Sequence, residues 1–178
     1  MLLSGMKTFK IFSCILFVLV SNSVFGFQNK PIQADEILLL FVRHTEKADD
    51  GTRNPPLSFE GIERANALVS KLVNTPLAAI YSTDYKRTIM TATPTAFHFE
   101  LPVLTYDFNN LDAFLDGVIA ENRGKAVLIV GHSNTTPRLI NMVLREDKLS
   151  QIDEKQYGDL FWVYIKSRGE GELTVSSF

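Results

Sequence analysis

The sequence predicts an α/β fold, a three-layer α/β/α sandwich built around a mainly parallel central sheet. Short apolar runs alternate with longer stretches of helical period from Ile37 onward, the pattern of strands feeding crossover helices. Two runs, residues 37–42 and 126–130, are apolar throughout, as expected for central strands covered on both faces. The length of 178 residues, 46% apolar and 21% charged, suits a single domain with one core.

The first 26 residues read as a secretory signal peptide that precedes this domain. Lys7 and Lys10 form a positive start, residues 11–20 an apolar segment, and Val24-Phe25-Gly26 a plausible cleavage site. The competing reading is an uncleaved membrane anchor. An apolar stretch of ten residues, broken by Ser21, Asn22 and Ser23, falls short of the ~20 needed to span a bilayer. Cleavage removes two lysines and no acids, shifting the formal charge of −2 to −4, and it removes Cys14, the only cysteine. A chain without cysteine has no disulfides, thiolate catalysis or thiolate-bound metal, and it suits an oxidising compartment, periplasmic or secreted. The mixed charge gives no basic footprint for nucleic acid, so a small-molecule partner is expected.

The elements of the expected domain, residues 27–178, follow in order. The strand at 37–42 ends at Arg43 and is followed by a polar loop at 47–56. Ser58 is the expected N-cap of a helix reaching about Asn74, with Ile62, Ala65, Leu68, Val69 and Leu72 at helical spacing. Residues 79–82 read as a second strand, and Tyr85 to about Phe97 as a helix stopped or bent near Pro94. A short strand at 102–105, a helix at 111–122 and the buried strand at 126–130 come next. After Gly131-His132-Ser133-Asn134, Pro137 suits the first position of a helix running to about Leu144. Residues 160–165 and 173–177 read as closing strands joined around residues 168–171.

Chemistry gathers at the strand ends. Two apolar strands each deliver a histidine, at Arg43-His44 and Gly131-His132, and ligands of open α/β sheets collect beyond the carboxyl ends of strands. A third strand end leads through Thr83, Asp84 and Tyr85 to Arg87, placed to offer its planar fork to a phosphate near a helix N-terminus.

Arg43-His44-Thr45-Glu46, Leu57-Ser58-Phe59-Glu60-Gly61, the run from Tyr81 to Thr88, and Gly131-His132-Ser133 resemble, in order, the four recurring blocks of the histidine phosphatase superfamily, the phosphoglycerate-mutase-like fold. The likeness covers nearly all of the expected mature chain. It implies that His44 attacks phosphorus and becomes phosphorylated, that Arg43, Arg87 and His132 hold the phosphoryl oxygens, and that water then hydrolyses the phosphohistidine. A neutral imidazole is a competent nucleophile near neutral pH, and cations around the phosphoryl oxygens stabilise the charge of the transition state. His44 is therefore expected neutral at the attacking nitrogen and His132 protonated, in different environments.

For the leaving-group acid the choice lies between Asp107, equally well read as a turn or helix-capping aspartate, and Glu46, equally well read as a structural group. Asn134 and Glu46 are candidate phosphate contacts. His98 reads as a helix-end packing residue, Trp162 as core, and Lys47, Asp49, Asp50 and Arg53 as a solvated rim loop. The leading expectation is an exported phosphomonoesterase, cofactor-independent and metal-free, acting on a small phosphorylated substrate. The alternatives are a phosphohistidine phosphatase, whose leaving group needs no acid, and a non-catalytic phospholigand-binding module. A mutase is disfavoured by the short stretches from Leu57 to Tyr81 and around Asp107. A zinc site on His44, Glu46 and His132 is the remaining geometric possibility.

Overall fold

The computed structural model describes residues 30–178, so the signal-peptide expectation lies outside the described residues. Six strands and four helices follow one another: β1 (Ile37–Arg43), α1 (Phe59–Leu72), β2 (Leu77–Ser82), α2 (Lys86–Phe99), β3 (Val103–Thr105), α3 (Leu111–Glu121), β4 (Ala126–Gly131), α4 (Thr135–Leu144), β5 (Asp159–Ser167) and β6 (Glu170–Ser177). They form one sheet of order β3-β2-β4-β1-β5-β6. The β3-β2, β2-β4 and β4-β1 pairs are parallel, while β1-β5 and β5-β6 are antiparallel. The parallel part holds the crossover helices, and the closing hairpin adds the antiparallel edge.

Side-chain alternation along β1 explains the three layers. Ile37, Leu39 and Phe41 pack with Leu115 and Val118 of α3 and Leu139 and Val143 of α4. Leu38, Leu40 and Val42 pack with Leu68 and Leu72 of α1 and Ala92 and Ala96 of α2. A strand with helices on both faces buries every side chain, and all seven positions of β1 and all six of β4 are buried.

Three local expectations are corrected. Helix α2 runs through Pro94 to Phe99, where Glu100 takes a left-handed conformation and its N–H caps the carbonyls of Ala96 and Phe97. The lost backbone hydrogen bond is outweighed by Ala92, Thr95 and Ala96, which anchor both sides of the proline in the core. Pro137 is the third residue of α4, not the first. The first four helical N–H groups lack intrahelical partners, so a proline there costs no helix bond. The closing turn is only Arg168-Gly169, with Gly169 at φ +90°, so β6 begins at Glu170.

The 47–56 loop is irregular but pinned at its base. Ser58 N–H donates to the Glu46 carbonyl, Ala48 N–H donates to the Pro56 carbonyl, and Lys47 bridges Leu57. Ser58 caps α1 as expected, its hydroxyl accepting from Gly61 N–H at 3.1 Å. A Cβ on Gly61 would lie 2.1 Å from the Glu46 carbonyl oxygen, so only glycine lets the start of α1 approach the chain just after His44.

Candidate active site

Strand register brings the two histidines together. Arg43 pairs with Gly131 across the β1-β4 ladder, and His44 N–H donates to the Gly131 carbonyl at 2.9 Å. The next residue on each strand is the histidine, and the two rings meet edge to face with centroids 5.4 Å apart. Gly131 makes room for this turn, because a Cβ there would press on the Thr135 and Thr136 hydroxyls at 2.8 Å. The Thr135 hydroxyl accepts from His132 N–H at 2.9 Å and sets where that imidazole leaves the backbone.

The cleft above these strand ends has a volume of about 390 Å³ and is lined by His44, His132, Arg87, Lys47, Tyr85, Phe108, Ser133, Asn134, Gln151 and Glu154, among others. His44 Nδ1 lies 2.8 Å from the Thr45 carbonyl. A carbonyl only accepts, so Nδ1 carries the proton and Nε2 keeps its lone pair. Burial pushes the His44 pKa down to about 3, against the Thr45 hydrogen bond, and the neighbouring His132, Arg87 and Arg43 lower it further. The imidazole is thus neutral over the ordinary pH range.

His132, expected charged when it serves a phosphate, is neutral in the free site. Arg87 Nη2 donates to its Nδ1 at 3.3 Å, which leaves the proton on Nε2, and Nε2 donates to Thr83 Oγ1 at 2.9 Å. Burial, with the positive Arg87 and Arg43, pushes its pKa down to about 4 while Glu154 opposes the shift. Both imidazoles are therefore neutral in the free site. A phosphate dianion would add the negative charge needed to protonate His132.

Arg87 stands where its strand end predicts, over the Tyr85 ring at 4.6 Å and with its buried Nε unpartnered. Arg43 is 3% exposed and its fork is largely committed. Nη1 donates to the carbonyls of Asp153 at 2.7 Å and Gln156 at 2.8 Å. Nη2 donates to the Glu154 carbonyl and carboxylate at 3.2 and 3.1 Å. Nε is left buried without a partner.

The candidate acids fall elsewhere. The exposed Asp107 accepts from the backbone N–H and side-chain amide of Asn109 at 2.9 and 2.8 Å, which is the turn-forming role; its neighbour Phe108, not Asp107, lines the cleft. Glu46 is gripped by Arg64, whose Nε and Nη2 approach its carboxylate at 2.7 to 3.0 Å. Although burial pushes the Glu46 pKa up, that pairing outweighs it and holds the group below its usual range. Its carboxylate is thereby withheld from the zinc site considered with His44 and His132, and among the described residues no group of three His, Cys, Asp or Glu is arranged to hold a metal. Asn134 lines the cleft beside His132. His98 stacks edge to face on Phe99, and Trp162 is core with Nε1 donating to Ser176 at 2.9 Å.

Glu154 was missed by sequence reasoning. It lines the cleft with one oxygen accepting from Ser133 Oγ at 2.7 Å and the other 3.1 Å from Arg43 Nη2. The Ser133 hydrogen bond first, then Arg43 and Lys47, holds its carboxyl below the usual range. Tyr85, Phe108 and Gln151 were also unassigned, and the irregular segment from 145 to 158 that carries Glu154 and Gln151 shows no periodic pattern to flag it.

Residues 39–107 match the family model for the histidine phosphatase superfamily, branch 1. No curated protein sequence matches the chain. Among solved structures, the protein histidine phosphatase SixA complexed with tungstate superposes with a TM-score of 0.64 at 16% identity, covering 79% of this chain and 96% of that one. Phosphoserine phosphatase from Entamoeba histolytica in complex with 3-phosphoglyceric acid gives 0.63 at 16%, covering 80% and 98%. Mycobacterial glucosyl-3-phosphoglycerate phosphatase gives 0.62 at 13%, with the same coverage. The matched segment carries the blocks around His44, Gly61 and Arg87, and the fold sets the fourth block, at His132, against them; the chain shares the fold of these phosphatases, and residues 39–107 are similar to the histidine phosphatase superfamily.

Proposed function

We propose that this protein is an exported phosphatase that hydrolyses a small phosphomonoester through a phosphohistidine on His44, without a metal or other cofactor. The observation that carries this reading is the 2.8 Å contact between His44 Nδ1 and the Thr45 carbonyl, which assigns the proton to Nδ1 and leaves a neutral Nε2 in a cleft shared with Arg87 and His132. The reaction is a displacement at phosphorus. The Nε2 lone pair forms the N–P bond as the P–O bond to the leaving group breaks, the leaving oxygen keeps that electron pair and takes its proton from solvent, and the Arg87 guanidinium, Arg43 Nε and His132 stabilise the phosphoryl oxygens. Water then attacks phosphorus and returns the electron pair to Nε2.

A second reading, hydrolysis of phosphohistidine, draws on one further observation. Among the described cleft-lining residues the one carboxylate, Glu154, is held toward its ionised form, and Asp107 and Glu46 are engaged elsewhere. A phosphoramidate nitrogen is protonated without help from an enzyme acid, whereas an alkoxide is not.

The test is phosphate release by the full chain from p-nitrophenyl phosphate, an alkyl phosphate and a phosphohistidine peptide, with EDTA present, beside His44→Ala. Turnover lost in His44→Ala supports the hydrolase, and preference for the phosphoramidate over the alkyl ester selects the second reading. Phosphate-dependent stabilisation of a chain that never acquires phosphohistidine would instead support a binding module. Export is tested by expressing the full chain in a bacterial host and sequencing the N-terminus of the fractionated product; retention in the cytoplasm with Met1 intact counts against it.

A further inference from the structure

We propose that Glu154 is the base that takes the proton from the hydrolytic water in the second half of the reaction. The inference rests on the phosphatase reading above.

The geometry begins with Arg43. Its guanidinium holds three carbonyls of the segment after α4, those of Asp153, Glu154 and Gln156, at 2.7 to 3.2 Å. A buried arginine immediately before the nucleophile thus fixes a distant segment against the strand end that carries His44. The Glu154 side chain is 62% exposed, yet it is held at two points, by Ser133 Oγ at 2.7 Å and Arg43 Nη2 at 3.1 Å. Ser133 directly follows His132, so both anchors belong to the histidine-bearing strand ends. A carboxylate has about four acceptor positions, and these contacts use two, so lone pairs remain for a water in the cleft.

Its chemical state fits the second step better than the first. Ser133, Arg43 and Lys47 favour the carboxylate over the acid, and a carboxylate accepts a proton but cannot donate one. In the step assigned here the water oxygen forms a bond to phosphorus, and the P–Nε2 bond breaks with its electron pair returning to His44. The proton released by the water goes to a Glu154 oxygen, and from there to solvent. No metal, oxidant or second substrate is required.

The experiment separates the two half-reactions. Wild type, Glu154→Gln and Ser133→Ala are mixed with p-nitrophenyl phosphate in a rapid-quench instrument. The p-nitrophenolate burst reports phosphorylation of His44; the acid-labile phosphohistidine and the steady-state rate report hydrolysis. The expected result for Glu154→Gln is a burst rate within about threefold of wild type, a steady-state rate lower by about 10²- to 10⁴-fold, and phosphohistidine accumulating toward one per chain. Hydroxylamine, a nucleophile that needs no such base, should discharge the trapped intermediate. Ser133→Ala should move in the same direction by a smaller factor.

Equal slowing of burst and steady state would show that Glu154 acts only by holding Arg43, and it overturns the proposal. So does an unchanged steady-state rate when hydrolysis limits wild-type turnover. If wild type gives neither burst nor phosphohistidine, the phosphatase reading fails first and the proposal falls with it, an outcome distinct from a wild type that turns over beside an unaffected Glu154→Gln.

Discussion

Acidification from pH 7.5 to pH 5.0 should destabilise this protein chiefly through its two site histidines. In the unfolded chain each titrates near 6.5, whereas in the folded chain burial and the nearby guanidinium groups hold His44 at about 3 and His132 at about 4. A lowered histidine pKa means that the folded state binds fewer protons than the unfolded state. Stability is therefore intact above about pH 7 and declines as pH falls below 6.5, until the folded-state values are reached. At pH 5.0 each histidine lies ~1.5 pH units below its unfolded pKa and remains neutral when folded. At about 1.36 kcal/mol per unit, the penalty is about 2 kcal/mol per histidine and about 4 kcal/mol for both. The paired carboxylates of Glu46 and Glu154 act in a lower window, because their stabilising effect is lost only as pH falls through and below the unfolded value of about 4.5. Urea denaturation at the two pH values measures the difference, and His44→Asn and His132→Asn should each remove about half of it. A wild type equally stable at both values, or a doubly substituted chain with an undiminished loss, would refute the reasoning.

Sulfate, already a dianion near pH 6, should bind with uptake of a proton, because its charge offsets the burial and the guanidinium charges that keep His132 neutral; calorimetry in buffers of different ionisation enthalpy reads that uptake as a buffer-dependent heat, and equal heats in all buffers would count against it. Asp107→Asn should retain activity within about threefold on an aryl and on an alkyl phosphate, since this carboxylate serves the Asn109 turn and not the cleft; selective loss on the alkyl ester would restore it as the acid. Glu46→Gln should cost less than about 1 kcal/mol in denaturation, because its pairing with Arg64 is partly solvated, and should leave kcat nearly unchanged. Gly61→Ala should destabilise by about 1–3 kcal/mol, because the added Cβ falls 2.1 Å from a backbone oxygen that cannot give way cheaply; a melting temperature equal to wild type would show that α1 can shift outward.

The parts of this structure legible in the sequence are those written in local pattern. A fully buried strand must be apolar throughout, so residues 37–42 and 126–130 announced β1 and β4, and the polar residues that stop those runs had to lie at the strand ends. That is why the placement of Arg43, His44 and His132 at strand ends is readable from the sequence alone. Arg87 was readable through the same logic, on the first turn of the helix that follows a third strand end. Helix α2 shows where such reading weakens: Pro94 marks a break by local rules, but Ala92, Thr95 and Ala96 pack it in place, and tertiary burial outweighs one missing hydrogen bond.

What stayed hidden depends on contacts between segments distant in sequence. Nothing near Asp107 or Glu46 reveals that Asn109 and Arg64 occupy them, and nothing near Glu154 reveals that Arg43 draws its backbone toward the cleft across a sequence separation of 111 residues. The same contact divides the arginine's work. Its Nη atoms organise the segment that carries Glu154, and its buried Nε, without a partner, is the donor that the proposed reaction would use. Arg43→Lys would keep the positive charge but lose the planar fork, and with it the simultaneous hold on three carbonyls. An arginine expected only to bind phosphate also fixes the segment that carries Glu154, so under the proposed mechanism both half-reactions would depend on one buried side chain.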